Sequence, residues 1–154
     1  MLEYGAEIVS CGNDPRERIR VAEETAKAHP GCFLLPSYDH PDVMSGQGTL
    51  MLEFLSQVDD APLDAIIVPV GGGGLLSGCC LAAKGTQCIR IFAAEPKNAD
   101  DAAQSHRSGT LIEPSSPPNT IADGLRTGLG IHTWPVIRDM VEEVLVCDTQ
   151  KISK

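Results

Sequence analysis

Four consecutive glycines, Gly71, Gly72, Gly73 and Gly74, are where the residue types of this chain most directly imply chemistry. They follow an apolar, β-favouring run and precede a small-residue, helix-like stretch, "IIVPVGGGGLLSG". Glycine loses more conformational freedom on folding than any other residue, so four in a row need a reason. Between a strand and a helix, backbone without side chains lets several N–H groups close on one anion, and the helix dipole adds partial positive charge. The run therefore reads as a phosphate cradle, with a tight structural turn as the alternative. A nucleoside-triphosphate loop would end in glycine, lysine and serine or threonine, but Leu75 follows Gly74 here. The dinucleotide spacing fails too, because its third glycine falls on Leu76 or Ser77. A small phosphate monoester fits the run best.

A second candidate is acidic. Glu95 and Asp101 in "EPKNADD" offer hard carboxylate oxygens suited to Mg²⁺ or Ca²⁺. The same residues also read as a solvated acidic helix start, because acids favour helix N-termini. His29, His40, His106 and His132 have no metal-like spacing and read as structural or exposed. Cys11, Cys32, Cys79, Cys80, Cys88 and Cys147 contain no C-x-x-C pair and suggest no zinc site. They read as reduced thiols of a cytoplasmic protein.

The elements that must position these groups alternate. Residues 5–11 ("GAEIVSC") and 32–36 ("CFLLP") read as strands. Between them lies a helix capped by Asp14, with Pro15 at its first position, and ended by Pro30 and Gly31. A second helix starts at Pro41, with Leu50, Met51, Phe54, Leu55 and Val58 on one face. Residues 65–70 read as a strand buried on both faces. After the glycines come a small-residue helix, a strand over 89–96, and a short helix closed by Gly109. The serine- and proline-rich stretch 110–120 must be loop, and 122–130 is too rich in glycine for a confident helix. Thr133 could cap a last helix through residues 134–143, with Trp134 in the core, before a final strand over 143–148. The alternation specifies α/β architecture with a mainly parallel sheet and flanking helices. The irregular region 110–130 is longer than most loops, and long loops are often functional.

Bulk properties bound the function. The 154 residues suffice for a real core. A formal charge of −9 argues against nucleic acid or an anionic membrane as a partner. No apolar run approaches the roughly 20 residues of a membrane span. The opening residues have neither the basic nor the apolar region of a signal peptide.

The motif "VPVGGGGLLSG" resembles the cofactor-phosphate loop of fold-type II pyridoxal-phosphate enzymes, the tryptophan synthase β-like fold. More narrowly it is similar to serine racemases and serine/threonine ammonia-lyases. "YGAEIV", "PDVMSGQGT", "AAEPKNADD", "TIADGLRTGLG" and "TWPVIRDMVEEV" agree in the same order, so the resemblance spans essentially the whole chain. It implies that Gly71, Gly72, Gly73 and Gly74 bind the phosphate of pyridoxal 5'-phosphate and that Leu75 adds a backbone amide. It places the backbone of Gly124 beside the cofactor ring. Thr127 matches a position that can face the substrate, and otherwise reads as an ordinary loop residue. Tyr38 falls in a substrate-facing loop, where an aromatic ring leans toward ammonia-lyase chemistry; its other reading is a surface tyrosine. A divalent cation, Mg²⁺ or Ca²⁺, is implied at Glu95, Asp101 and the carbonyl of Ala99.

The resemblance also implies a serine or threonine substrate and a homodimer for the full-length enzyme. It divides the chain into residues 1–40, the remainder of a small domain, and 41–154, part of a large cofactor-binding domain. The family's Schiff-base lysine motif has no counterpart here. Lys27, Lys84, Lys97, Lys151 and Lys154 all lie outside it, so no catalytic residue is assigned. The chain is accordingly expected to be an incomplete version of the fold, as a fragment, a truncated product or a degenerate paralogue, and inactive alone. A non-catalytic binding or dimerisation partner of a full-length enzyme is the alternative.

Overall fold

A computed structural model of the chain describes residues 2–12, 14–58, 63–84, 89–114 and 118–148. Cys88, Lys151 and Lys154 lie outside the described residues. Two units form, Met1–Leu35 and Pro36–Lys154.

The first unit is built on helix α1, Pro15–Ala28. Its acidic start at Glu17 and basic end at Lys27 both complement the helix dipole. Gly31 follows in the left-handed region at φ +90°. The flanking segments 5–11 and 32–36, expected as strands, are not strands: all three strands of the sheet lie in the second unit. β-favouring residues describe a fit to a pleated, half-buried surface, and a strand exists only where a ladder partner pairs with it. Ile8 and Phe33 are 62% and 73% exposed, so neither segment is covered.

The second unit begins with α2, Pro41–Val58, and continues through β1, Ala65–Pro69, and α3, Gly74–Ala83. Next come β2, Arg90–Pro96, α4, Asp101–Ser108, α5, Thr133–Met140, and β3, Glu143–Cys147. Short 3₁₀ turns occupy Lys97–Ala99 and Asp123–Leu125. The sheet order is β1-β2-β3, all parallel, with Val68 opposite Ala93 and Ala93 opposite Val144. Parallel neighbours require crossovers, and the helices supply them.

Val68, Val70, Ile91, Ala93 and Val144 join Leu76, Cys79 and Ile137 in one core. β1 was expected to be buried on both faces, but Ile67 is 60% exposed: helices cover only one side of this strand among the described residues. α3 is buried almost all round, as its small residues allow. Burial pushes the Cys80 thiol up to about 12, so it remains a protonated, hydrophobe-like core residue. Trp134 is in the core, as expected.

On α2 the buried stripe is Met44, Gly48 and Met51, with Leu55 packed against the core. Leu50 and Phe54, expected on that face, are exposed. The stripe runs through a glycine because α2 and α3 approach backbone to backbone. A Cβ on Gly48 would lie 2.8 Å from the Gly78 carbonyl oxygen, and one on Gly78 would collide with that of Met44. The last helix stops at Met140, short of residue 143, and Val141 turns into extended backbone.

Gly78→Ala should destabilise the second unit by about 1–3 kcal/mol, because the opposing backbone cannot yield. Gly46→Ala, with nothing within 4 Å of the added carbon, should be neutral or stabilising. Chemical denaturation of both variants would check the contrast, and equal losses would contradict the close helix contact.

Candidate functional site

The glycine run sits where β1 ends and α3 begins. Gly73 is the N-cap of α3, at φ +90°, a conformation side-chain-bearing residues rarely adopt. The carbonyl of Gly72 accepts the Thr133 hydroxyl at 2.8 Å and the Gly130 N–H at 3.3 Å. Gly73's carbonyl accepts the N–H of Ser77. In contrast, the N–H groups of Gly71, Gly72, Gly73, Gly74 and Leu75 have no acceptor among the described residues. Gly72, Gly73 and Gly74 are nonetheless buried. Buried backbone donors are nearly always paired, so these three, flanked by the amides of half-buried Gly71 and Leu75 at a helix N-terminus, are suited to receive an anion.

Three other segments close around this loop. A Cβ on Gly72 would run into the Tyr38 ring, and one on Gly74 would come within 3.0 Å of the Tyr38 Cβ. On another side, a Cβ on Gly71 would lie 3.2 Å from the Gly124 carbonyl oxygen and 3.3 Å from Thr127 Oγ1. Gly73 is backed by Thr133 and Ile137 of α5. Tyr38, Gly124 and Thr127 are therefore brought together with the glycines by the fold itself. Tyr38 and Thr127 are both half-buried. The backbone at Gly124 is exposed and closed by Asp123, whose carboxylate accepts its N–H at 2.9 Å.

Sequence reasoning missed Asp39. Its carboxylate accepts the N–H groups of Ile131, His132 and Thr133 at 3.0, 2.8 and 3.3 Å. Thr133, expected to cap α5, is instead its first residue, and its hydroxyl goes to Gly72. No local pattern marks a capping residue more than ninety positions away. The aspartate beside Tyr38, a residue type with a strong capping preference, was the one available signal.

Glu95 and Asp101 form the second cluster. The solvated reading of "EPKNADD" is overturned, since the two residues are only 2% and 6% exposed. Glu95, at the end of β2, reaches α4 and accepts the N–H groups of Ala102 and Ala103 at 3.3 and 2.6 Å. Asp101 accepts the Leu129 N–H at 3.1 Å, tying α4 to the loop before α5. Burial raises the Glu95 carboxyl to about 8, and the charges of Asp101 and Asp100 add to the effect. Burial likewise lifts Asp101 to about 6. Each carboxylate oxygen keeps acceptor capacity after these bonds, but among the described residues no group of three or more His, Cys, Asp or Glu side chains is gathered that could hold a metal ion.

Histidine roles are structural: His106 meets the Val141 carbonyl at 2.9 Å, and His132 lies 3.4 Å from Asp39. Among the described residues, no helix is long and apolar enough to cross a membrane.

The sequence model of the family described as pyridoxal-phosphate dependent enzyme matches residues 1–154. Human serine racemase is 42% identical over 151 residues, covering 97% of this chain and 43% of its own length. The structure of maize serine racemase superposes with a TM-score of 0.90 at 45% identity, over 99% of this chain and 47% of that one. A threonine deaminase from T.th. also gives 0.90, at 36% identity, over 98% and 50%. The chain thus spans less than half the length of the human relative.

The carboxylate pair has a pH consequence. Groups whose folded pKa is raised bind protons more tightly when folded, so stability is greatest below the ordinary values of 3.8 and 4.5 and is lost as pH rises through about 6 and about 8. With a chelator present, the melting temperature should fall between about pH 5 and about pH 8.5, and Glu95→Gln should flatten that slope. A rising melting temperature over this range in the wild type would contradict the burial of both carboxylates.

Proposed function

The chain belongs to the pyridoxal-phosphate dependent enzymes, and on that premise we propose that it serves racemase or ammonia-lyase chemistry on serine or threonine, with the cofactor phosphate held by the glycine loop. The observation carrying this reading is the row of N–H groups from Gly71 to Leu75 that have no acceptor among the described residues. A phosphate monoester presents several strong acceptor oxygens and suits such a row. When bound, pyridoxal phosphate supplies an electron sink for negative charge left at the α-carbon of an amino acid.

This chain's residues would do the holding and walling. Gly71, Gly72, Gly73, Gly74 and Leu75 donate to phosphate, and the backbone of Gly124 stands beside the ring. Tyr38 and Thr127 face the substrate side, where the Tyr38 ring also shields Gly72 from water. A divalent cation, Mg²⁺ or Ca²⁺, belongs at Glu95, Asp101 and the Ala99 carbonyl, where it would brace α4 against β2.

Gly72→Asp places bulk and negative charge beside the phosphate and should abolish binding of pyridoxal phosphate, measured by equilibrium dialysis. Equal retention by variant and wild type would remove the loop from the site. The double variant Glu95→Gln, Asp101→Asn should lose the rise in melting temperature that Mg²⁺ gives the wild type. An undiminished rise would put the cation elsewhere.

A further inference from the structure

Helices are usually capped by the residue just before them. The N-cap of α5, His132, makes no such side-chain bond. The three amides at this end of the helix are instead taken by Asp39, 92 to 94 residues away in sequence. Asp39 Oδ1 serves His132 and Thr133, while Oδ2 serves Ile131. The Asp39 carboxyl also fills the space a side chain at Gly130 would need. Bonds from N–H groups to an ionised carboxylate are among the stronger hydrogen bonds in proteins.

The connections on either side of Asp39 lead to the glycine loop. Its neighbour Tyr38 lies against Gly72 and Gly74. The helix it closes carries Thr133, whose hydroxyl holds the Gly72 carbonyl at 2.8 Å. The next residue toward the loop, Gly130, donates to that same carbonyl. One carboxylate therefore fastens two separate supports of the cradle, one bearing the Tyr38 ring and one gripping the backbone.

We propose that Asp39 is a positioning residue for the cradle: by closing α5 it sets both the Tyr38 ring over Gly72 and the direction of the loop's N–H groups. A local cap would stabilise α5 without placing Tyr38, whereas a remote one couples the two. The ligand arm of the test rests on the phosphate reading given above; the ligand-free arm does not.

The test compares wild type, Asp39→Ala and Asp39→Asn by hydrogen–deuterium exchange without ligand, and by titration with pyridoxal phosphate and with pyridoxal. In Asp39→Ala, exchange should quicken about tenfold or more at residues 131–133, at His40 and at Ser77, whose N–H groups the Tyr38 and Gly73 carbonyls accept, with β2 and α4 unchanged, and pyridoxal phosphate should bind about tenfold more weakly. Asp39→Asn keeps one acceptor oxygen and should fall between. Faster exchange confined to 131–133, or unchanged affinity for pyridoxal phosphate, would reduce Asp39 to a helix cap and overturn the proposal. If Asp39→Ala loses protection throughout, Asp39→Asn carries the same comparison. A wild type that does not prefer pyridoxal phosphate over pyridoxal would remove the phosphate reading, while the ligand-free exchange still decides the role of Asp39.

Discussion

The direction of one peptide carbonyl, that of Gly72, governs the glycine loop. A trans peptide is planar, with its C=O and the following N–H pointing opposite ways. Thr133 and Gly130 draw the Gly72 oxygen toward α5, so the N–H of Gly73 must face away from α5. The left-handed conformation of Gly73 then turns the chain into α3, whose first amides have no intrahelical partners. A donor row at this place follows from one fixed carbonyl, one positive φ and one helix start. No side chain on the loop is needed.

That carbonyl can be held only because the surrounding elements are fixed. α3 packs on α2 at backbone distance, which Gly48 and Gly78 permit, and α5 seals the other side through Ile137 and Thr133. Ser77 adds a buried bond from its hydroxyl to the Thr133 carbonyl at 3.2 Å, so α3 and α5 are joined by polar bonds as well as apolar contact. The Glu95 and Asp101 pair braces β2, α4 and the loop reaching Leu129. Two buried carboxylates are costly when ionised, and offsetting that cost is what a bound cation would contribute.

Much of this was legible in the sequence wherever the cause was local. The glycine run, the left-handed Gly109 closing α4, and the order of strands and helices from β1 onward each rest on neighbouring residues. Errors arose where the cause was distant. Segments 5–11 and 32–36 have strand composition, but composition does not supply a pairing partner. The α2 stripe was misread because Gly48, which carries no hydrophobic signal, marks the true contact face and Leu50 and Phe54 do not. Thr133 has the residue type of a cap, yet its hydroxyl answers to Gly72 in space, and Asp39 takes the capping role from the far side of the fold. The acidic stretch was readable as a pair of carboxylates, while its burial depended on how α4 settles against β2.

The central claim is that the amides of Gly71, Gly72, Gly73, Gly74 and Leu75 receive a phosphate. Amide nitrogen–proton NMR of the wild-type chain, titrated with pyridoxal phosphate, pyridoxal and inorganic phosphate, tests it most directly. The account predicts that these five resonances move with both phosphate-bearing probes and stay in place with pyridoxal. Resonances of the glycine loop that ignore phosphate while others respond would contradict it.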